Sequence, residues 1–108
     1  MNVLAFATRT RPFDRPAVRQ AAALLVDRAR LVATVPPGTI DPLWSTVPGG
    51  VDGHLDAFRT ASGPGPDAAR ARKLLDRAGL STPVPLTLGY DPGREATGAR
   101  AQVTELAR

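Results

Sequence analysis

The chain has 108 residues, room for about one small domain with a modest core. It has no cysteine, which excludes disulfides, thiolate metal sites and a thiol nucleophile. The formal net charge of +4 raises nucleic acid as a partner, but the arginines are dispersed and interleaved with Asp14, Asp27, Asp67, Asp76, Glu95 and Glu105, so no nucleic-acid partner is expected.

Val3 to Ala7 is a short apolar run and reads as a buried strand. Asp14 is an expected helix N-cap, with Pro16 in the first turn, where a missing N–H costs nothing. The helix is expected to continue to about Val35, where Pro36-Pro37-Gly38 stops it. At the helical period Val18, Ala22, Leu25, Ala29 and Val32 share one apolar stripe. Arg28 projects at its border, either with its stem packed and its head in water or paired with a carboxylate elsewhere.

Residues 36–66 are rich in Gly and Pro and read as a long loop, of the kind that is functional or disordered. Trp44 argues for the first. Asp67 is placed to cap the next helix, whose stripe is Ala71, Leu74, Leu75 and Ala78. Gly79 is placed as a left-handed C′ residue, with Leu80 covering the end. Val84, Leu86, Leu88 and Tyr90 alternate with Pro85, Thr87 and Gly89, as in a strand with one buried face. Asp91-Pro92-Gly93 is turn chemistry, and a last helix uses Ala96, Ala99, Val103 and Leu106.

The order strand, helix, loop, helix, strand, helix implies an α/β layer arrangement. Two strands alone make a marginal sheet. Either further strands lie within 36–66 or the chain pairs with another copy of itself.

A search for catalytic chemistry returns little. His54 is the only histidine, sits in a surface turn and has no nucleophile motif around it. One histidine with scattered carboxylates lacks metal-ligand spacing, so no metal and no cofactor are expected. Gly49-Gly50-Val51-Asp52-Gly53 lacks the Lys-Ser/Thr of a phosphate loop. No base can be paired with a nucleophile, and the chain does not read as an enzyme. No apolar stretch is long enough to cross a bilayer, and the N-terminus lacks the basic-then-apolar order of a signal peptide.

Three motifs in order carry a resemblance. Leu4-Ala5-Phe6 through Val18-Arg19-Gln20-Ala21 to Asp27-Arg28 is similar to a strand of the type LAFNTRRPPFDDPRVRQAL followed by a helix ending AIDREALV. Pro42 to Pro48 stands where a Pro-rich loop is found, and Pro66 to Leu80 resembles DPEKAKKLLAEAGY. Val84 to Tyr90 then resembles FELTLWY. The chain thus resembles the family 5 extracytoplasmic solute-binding proteins of bacterial ABC importers over nearly its whole length. It departs in having Ala7 where an Asn is common, and in lacking the aromatic-acidic segment that often follows the last helix.

The resemblance implies a partial lobe, residues 1–108, of a type II periplasmic-binding-protein-like α/β fold, from the C-terminal half of a longer protein. It implies a non-enzymatic solute-binding component that takes peptides or similar small solutes in an interlobe cleft and docks on an ABC permease. The parent would be extracytoplasmic, in the periplasm or anchored as a lipoprotein. A regulatory or sensor ligand-binding domain reusing the lobe is one alternative, and a basic nucleic-acid-binding module a weaker one.

Arg94 is the first candidate for ligand contact. Tyr90, at the strand end before it, is a candidate with it, and Arg94 opens a helix, a place suited to a carboxylate, with a solvent-facing first-turn arginine as its alternative. Trp44 is the second, as a flat apolar wall, with a loop-anchoring core plug as its alternative.

Overall fold

A computed structural model describes residues 3–91 and 98–107, and among them the regular structure is entirely helical. The elements are α1 (Pro16–Leu25), α2 (Arg28–Val32), α3 (Ala57–Ser62), α4 (Ala68–Arg77) and α5 (Ala99–Leu106).

Helix α1 starts with Pro16 at its first position, as the sequence implies, but the N-cap is Arg15 and makes no side-chain cap bond. Asp14 instead closes a turn, its N–H donating to the Thr10 carbonyl at 3.1 Å. The single helix expected to Val35 is broken at Val26 and Asp27, both extended. The break has a chemical cause. Asp27 Oδ1 accepts the Arg30 N–H at 3.0 Å, so the carboxylate restarts a helix where it would otherwise weaken one.

Helix α4 follows its sequence closely. Asp67 Oδ1 accepts the Arg70 N–H at 2.9 Å. At the other end Gly79 has φ +70°, its N–H donates to Asp76 O at 3.0 Å, and the Leu80 N–H donates to Leu75 O at 3.0 Å. These are the two bonds of a Schellman motif, and only a residue without a Cβ takes the left-handed position freely.

Helices α1 and α4 pack antiparallel. The Asp67 N–H donates to Leu24 O at 2.8 Å at one end. At the other, Arg15 Nη2 donates to Ala78 O at 2.5 Å, a cation on the negative end of α4. Between them lie the buried side chains Val18, Ala21, Leu24, Ala71 and Leu75, with Phe13, Leu74, Leu80 and Val84 packed around them. The α4 stripe is the one expected. The α1 stripe is rotated by about one residue: Ala21 and Leu24 are buried, whereas Leu25 is 49% exposed. Ending α1 at Leu25 removes the later members of the expected stripe, and an i, i+3, i+6 row faces α4 instead.

A second contact joins α2 and α5. Arg30 Nε lies 2.8 Å from Glu105 Oε1. Val35 is buried where Gly98, at φ +80°, opens α5.

No β-ladder forms among the described residues, and the two expected strands are extended segments outside any sheet. Residues 3–7 are tethered by Phe6, whose ring stacks on Phe13 at 4.7 Å between centroids. Residues 84–91 run extended, with Leu86, Leu88 and Tyr90 exposed. A strand is a paired object, and among the described residues neither segment enters a β-ladder; the Ala7 carbonyl accepts from the Thr10 N–H of the following turn instead. The loop 36–66 supplies no strand either; it contains α3 and turns.

The chain exposes 8052 Å². A compact monomer of 11.3 kDa exposes roughly 5,700 Å². The Cα radius of gyration is 14.6 Å, against about 13 Å for a compact chain of this size. The helical pair is a small core carrying extended arms that form no sheet among the described residues.

Candidate ligand-binding site

Among the three residues expected to meet a ligand, Trp44 has the most developed surroundings. It follows Leu43, whose carbonyl accepts the Arg28 Nε–H at 3.1 Å. The Asp27 cap starts α2 at Arg28 and so sets the direction from which that side chain reaches the loop. The Arg28 Cζ lies 5.4 Å from the centroid of the Trp44 ring, and the Arg59 Cζ, from α3, lies 5.1 Å from it. Each contact is a cation–π attraction to the ring face.

Arg28 therefore matches neither expectation in full. Its head is half-buried, and burial lowers its pKa from the ordinary value. Its partners are a loop carbonyl and an indole, and no carboxylate among the described residues pairs with it.

The Trp44 ring is half-buried, and its Nε1 is buried with no hydrogen-bond partner among the described residues. Beside it lies a narrow crevice enclosing about 10 Å³, room for about one water molecule. Arg28, Trp44 and Ser62 supply polar groups, and Ala23, Val26 and Pro64 supply apolar wall.

Tyr90 lies elsewhere. It is 46% exposed on the extended segment and does not line the crevice. Arg94 lies outside the described residues. Arg59 carries no motif and was invisible in the sequence; only the turn of α3 within the loop brings it to Trp44.

His54 is more engaged than a solvated turn residue. Its Nδ1 is 2.7 Å from Val47 O and its Nε2 is 3.4 Å from Asp56 Oδ1. Both partners are acceptors, so only the imidazolium satisfies both. The bond to Val47 first, then Asp56, raises its pKa above the ordinary value. The ring staples the two ends of the 47–56 turn. Among the described residues no cluster of three metal-ligating side chains is found, and no helix is long and apolar enough to cross a membrane.

A family model described as bacterial extracellular solute-binding proteins, family 5 Middle, matches residues 1–104. The chain belongs to that family. No curated protein and no solved structure matches it significantly. Family 5 proteins have a periplasmic-binding-protein-like fold and a solute-binding role in ABC import. In general they take a small solute outside the cytoplasm, partner an ABC permease and are not enzymes.

Proposed function

We propose that this chain belongs to the ligand-binding body of an ABC importer for peptides or similar small solutes, with Trp44, Tyr90 and Arg94 facing the solute in a cleft between lobes. Family 5 membership across residues 1–104 carries the reading. Residues 1–108 are then a partial lobe from the C-terminal half of an extracytoplasmic, lipid-anchored or periplasmic parent.

In this reading the lobe is α/β. Segments 3–7 and 84–90 are strands whose sheet partners lie in the rest of the lobe. The alternation of Val84, Leu86, Leu88 and Tyr90 supports it, as does the exposure of the last three. The surface in excess of a compact domain is a further support. Trp44 offers a flat face to a ligand side chain, and Arg94 a planar fork to a carboxylate. Solute would be selected by lobe closure, with energy for import supplied by a separate ATPase.

Trp44 is the only tryptophan, so intrinsic fluorescence reports one place. Titration with trialanine and pentaalanine is expected to change its emission saturably, while maltose and a nickel chelate leave it unchanged. A folded chain, judged by circular dichroism, that answers neither peptide but binds one of the other two would replace the peptide reading.

A further inference from the structure

His54 meets two acceptors, and only one of the two contacts survives loss of its proton. Its Nδ1 is 2.7 Å from Val47 O and its Nε2 is 3.4 Å from Asp56 Oδ1. The imidazolium donates at both nitrogens, whereas the neutral ring has one N–H and one lone pair. A lone pair on Nδ1 would face a carbonyl oxygen at the shorter of the two distances. The neutral ring therefore keeps Val47 and turns its lone pair on the Asp56 carboxylate, whose side chain is 65% exposed and can swing away into water.

Asp56 has a second use for its carboxylate. It is the N-cap residue of α3, yet its side chain makes no cap hydrogen bond, and its backbone, at φ −85° and ψ 11°, is outside the extended conformation that capping uses. Asp27 and Asp67 each cap their own helices, accepting from the Arg30 and Arg70 N–H groups. Here the carboxylate serves His54 in place of α3. Helix α3 has six residues, so a change in its first turn moves most of it. Arg59 is in that turn, with its Cζ 5.1 Å from the Trp44 centroid. The Trp44 loop is tied at both ends, by Arg28 on Leu43 O and by His54 on Val47 O. Because the Val47 bond persists in both protonation states, the proton reaches Trp44 through Asp56 and Arg59.

Charged groups around the ring are few. Residues 43–50 carry none, the turn brings Asp52, α3 brings Asp56 and Arg59, and α2 brings Arg28 to the Trp44 ring. Among the described residues Asp56 is the one within ion-pair distance of the imidazole.

We propose that His54 and Asp56 form a proton-operated switch at the start of α3. With the imidazole charged, Asp56 is held at His54 and α3 begins uncapped. With it neutral, Asp56 caps α3 through the Phe58 or Arg59 N–H, and the rotation of its backbone shifts Arg59 on the Trp44 ring. An exposed ion pair and a side-chain cap are of similar strength, so one proton is enough to exchange them. The device acts within the chain alone, so a failed peptide titration leaves it standing.

One histidine and one tryptophan make both ends of the switch readable without labels. The imidazole proton resonances of His54 and the emission of Trp44 are followed in the ligand-free full chain from about pH 5 to about pH 9, across the ordinary histidine value. Both should show one transition with the same midpoint, above the ordinary value of about 6.5. H54Q should abolish the emission step. R59Q should keep the His54 resonance shift and lose most of the emission step, whereas a direct effect of the imidazolium on the indole would persist. D56N keeps a capping side chain and loses the charge, so its emission at low pH should lie near that of the parent at high pH. A flat emission while His54 titrates would overturn the switch. So would a step that survives in H54Q or R59Q, a D56N profile that repeats the parent's, or a His54 midpoint at or below the ordinary value. Circular dichroism checks that each variant is folded, and where one is not, the two parent titrations decide alone.

Discussion

The neighbouring leucines of α1 give a sharp test of which face meets α4. Leu24 is 5% exposed within the cluster of Val18, Ala21, Ala71 and Leu75, whereas Leu25 is 49% exposed. Leu24→Ala removes buried methylenes and leaves a cavity between two helices held apart by their own backbone contacts. The cost is about 2–5 kcal/mol. Leu25→Ala loses roughly half of the 1.5–3 kcal/mol that a fully buried leucine contributes, so about 1 kcal/mol, and leaves no cavity. The higher helix propensity of alanine returns a few tenths of that. Urea unfolding followed by far-ultraviolet circular dichroism separates the two. With a slope of about 1–2 kcal/mol per molar, L24A lowers the midpoint by about 1–5 M and L25A by less than about 1 M. An L24A chain that is unfolded outright while L25A folds is the same result at its extreme. L25A costing as much as L24A would refute the packing described here. It would restore the stripe through Val18, Ala22 and Leu25 that an uninterrupted helix implies.

Three other outcomes follow from local geometry. The folded-state pKa of His54 is raised, so its charge stabilises the 47–56 turn fully below the unfolded value of about 6.5. That contribution is lost as pH rises through the higher folded value. Proteolysis of this turn should therefore be faster at pH 8 than at pH 6, with no such difference in H54A, and equal rates in the parent chain would contradict the staple. Gly98→Ala places a Cβ onto Val35 Cγ1 at φ +80°, whereas Gly38→Ala meets only its own left-handed backbone. The first should cost about 1–3 kcal/mol more than the second through overpacking, with amide exchange at Gln102 accelerating as α5 undocks from α2; equal costs would place Val35 elsewhere. Finally, the exposed Val3, Leu4, Leu86, Leu88 and Tyr90 lie on unpaired extended segments, and pairing with another copy would satisfy them. The melting temperature should then rise with protein concentration, and a concentration-independent cooperative melt would exclude self-pairing.

What the sequence disclosed and what it concealed divide along the range of the interactions. The Asp67 cap, the Gly79 and Leu80 closure and the Ala71–Leu75 stripe are decided within one or two turns, and each was legible. The break at Val26–Asp27 is also local, but the same carboxylate can sit on the polar face of a continuing helix or cap a new one. The period alone favours the first, and the structure takes the second. Strand character in Val84 to Tyr90 is a property of a pair, and the pattern on one segment shows the buried face without showing a partner.

The candidate site lies at the far end of that scale. Trp44 stood out as an isolated aromatic in a Gly/Pro-rich loop, and Arg28 as a cation on an apolar border. Nothing in the spacing of Arg28, Trp44 and Arg59 joins them, since none lies within a helical turn of another. Their meeting depends on three separate local decisions: the Asp27 cap that starts α2 at Arg28, the Arg28–Leu43 hydrogen bond that seats the loop, and the short α3 that carries the exposed Arg59 to the ring. A change at any of these should disturb Trp44 without touching the α1–α4 core. Asp27→Ala is the cleanest, because it leaves both arginines and the indole intact. If it alters Trp44 emission while the stability from urea unfolding falls only by the amount of a lost cap, about 1 kcal/mol, the site is positioned by α2. An unchanged emission would mean the loop is held without α2.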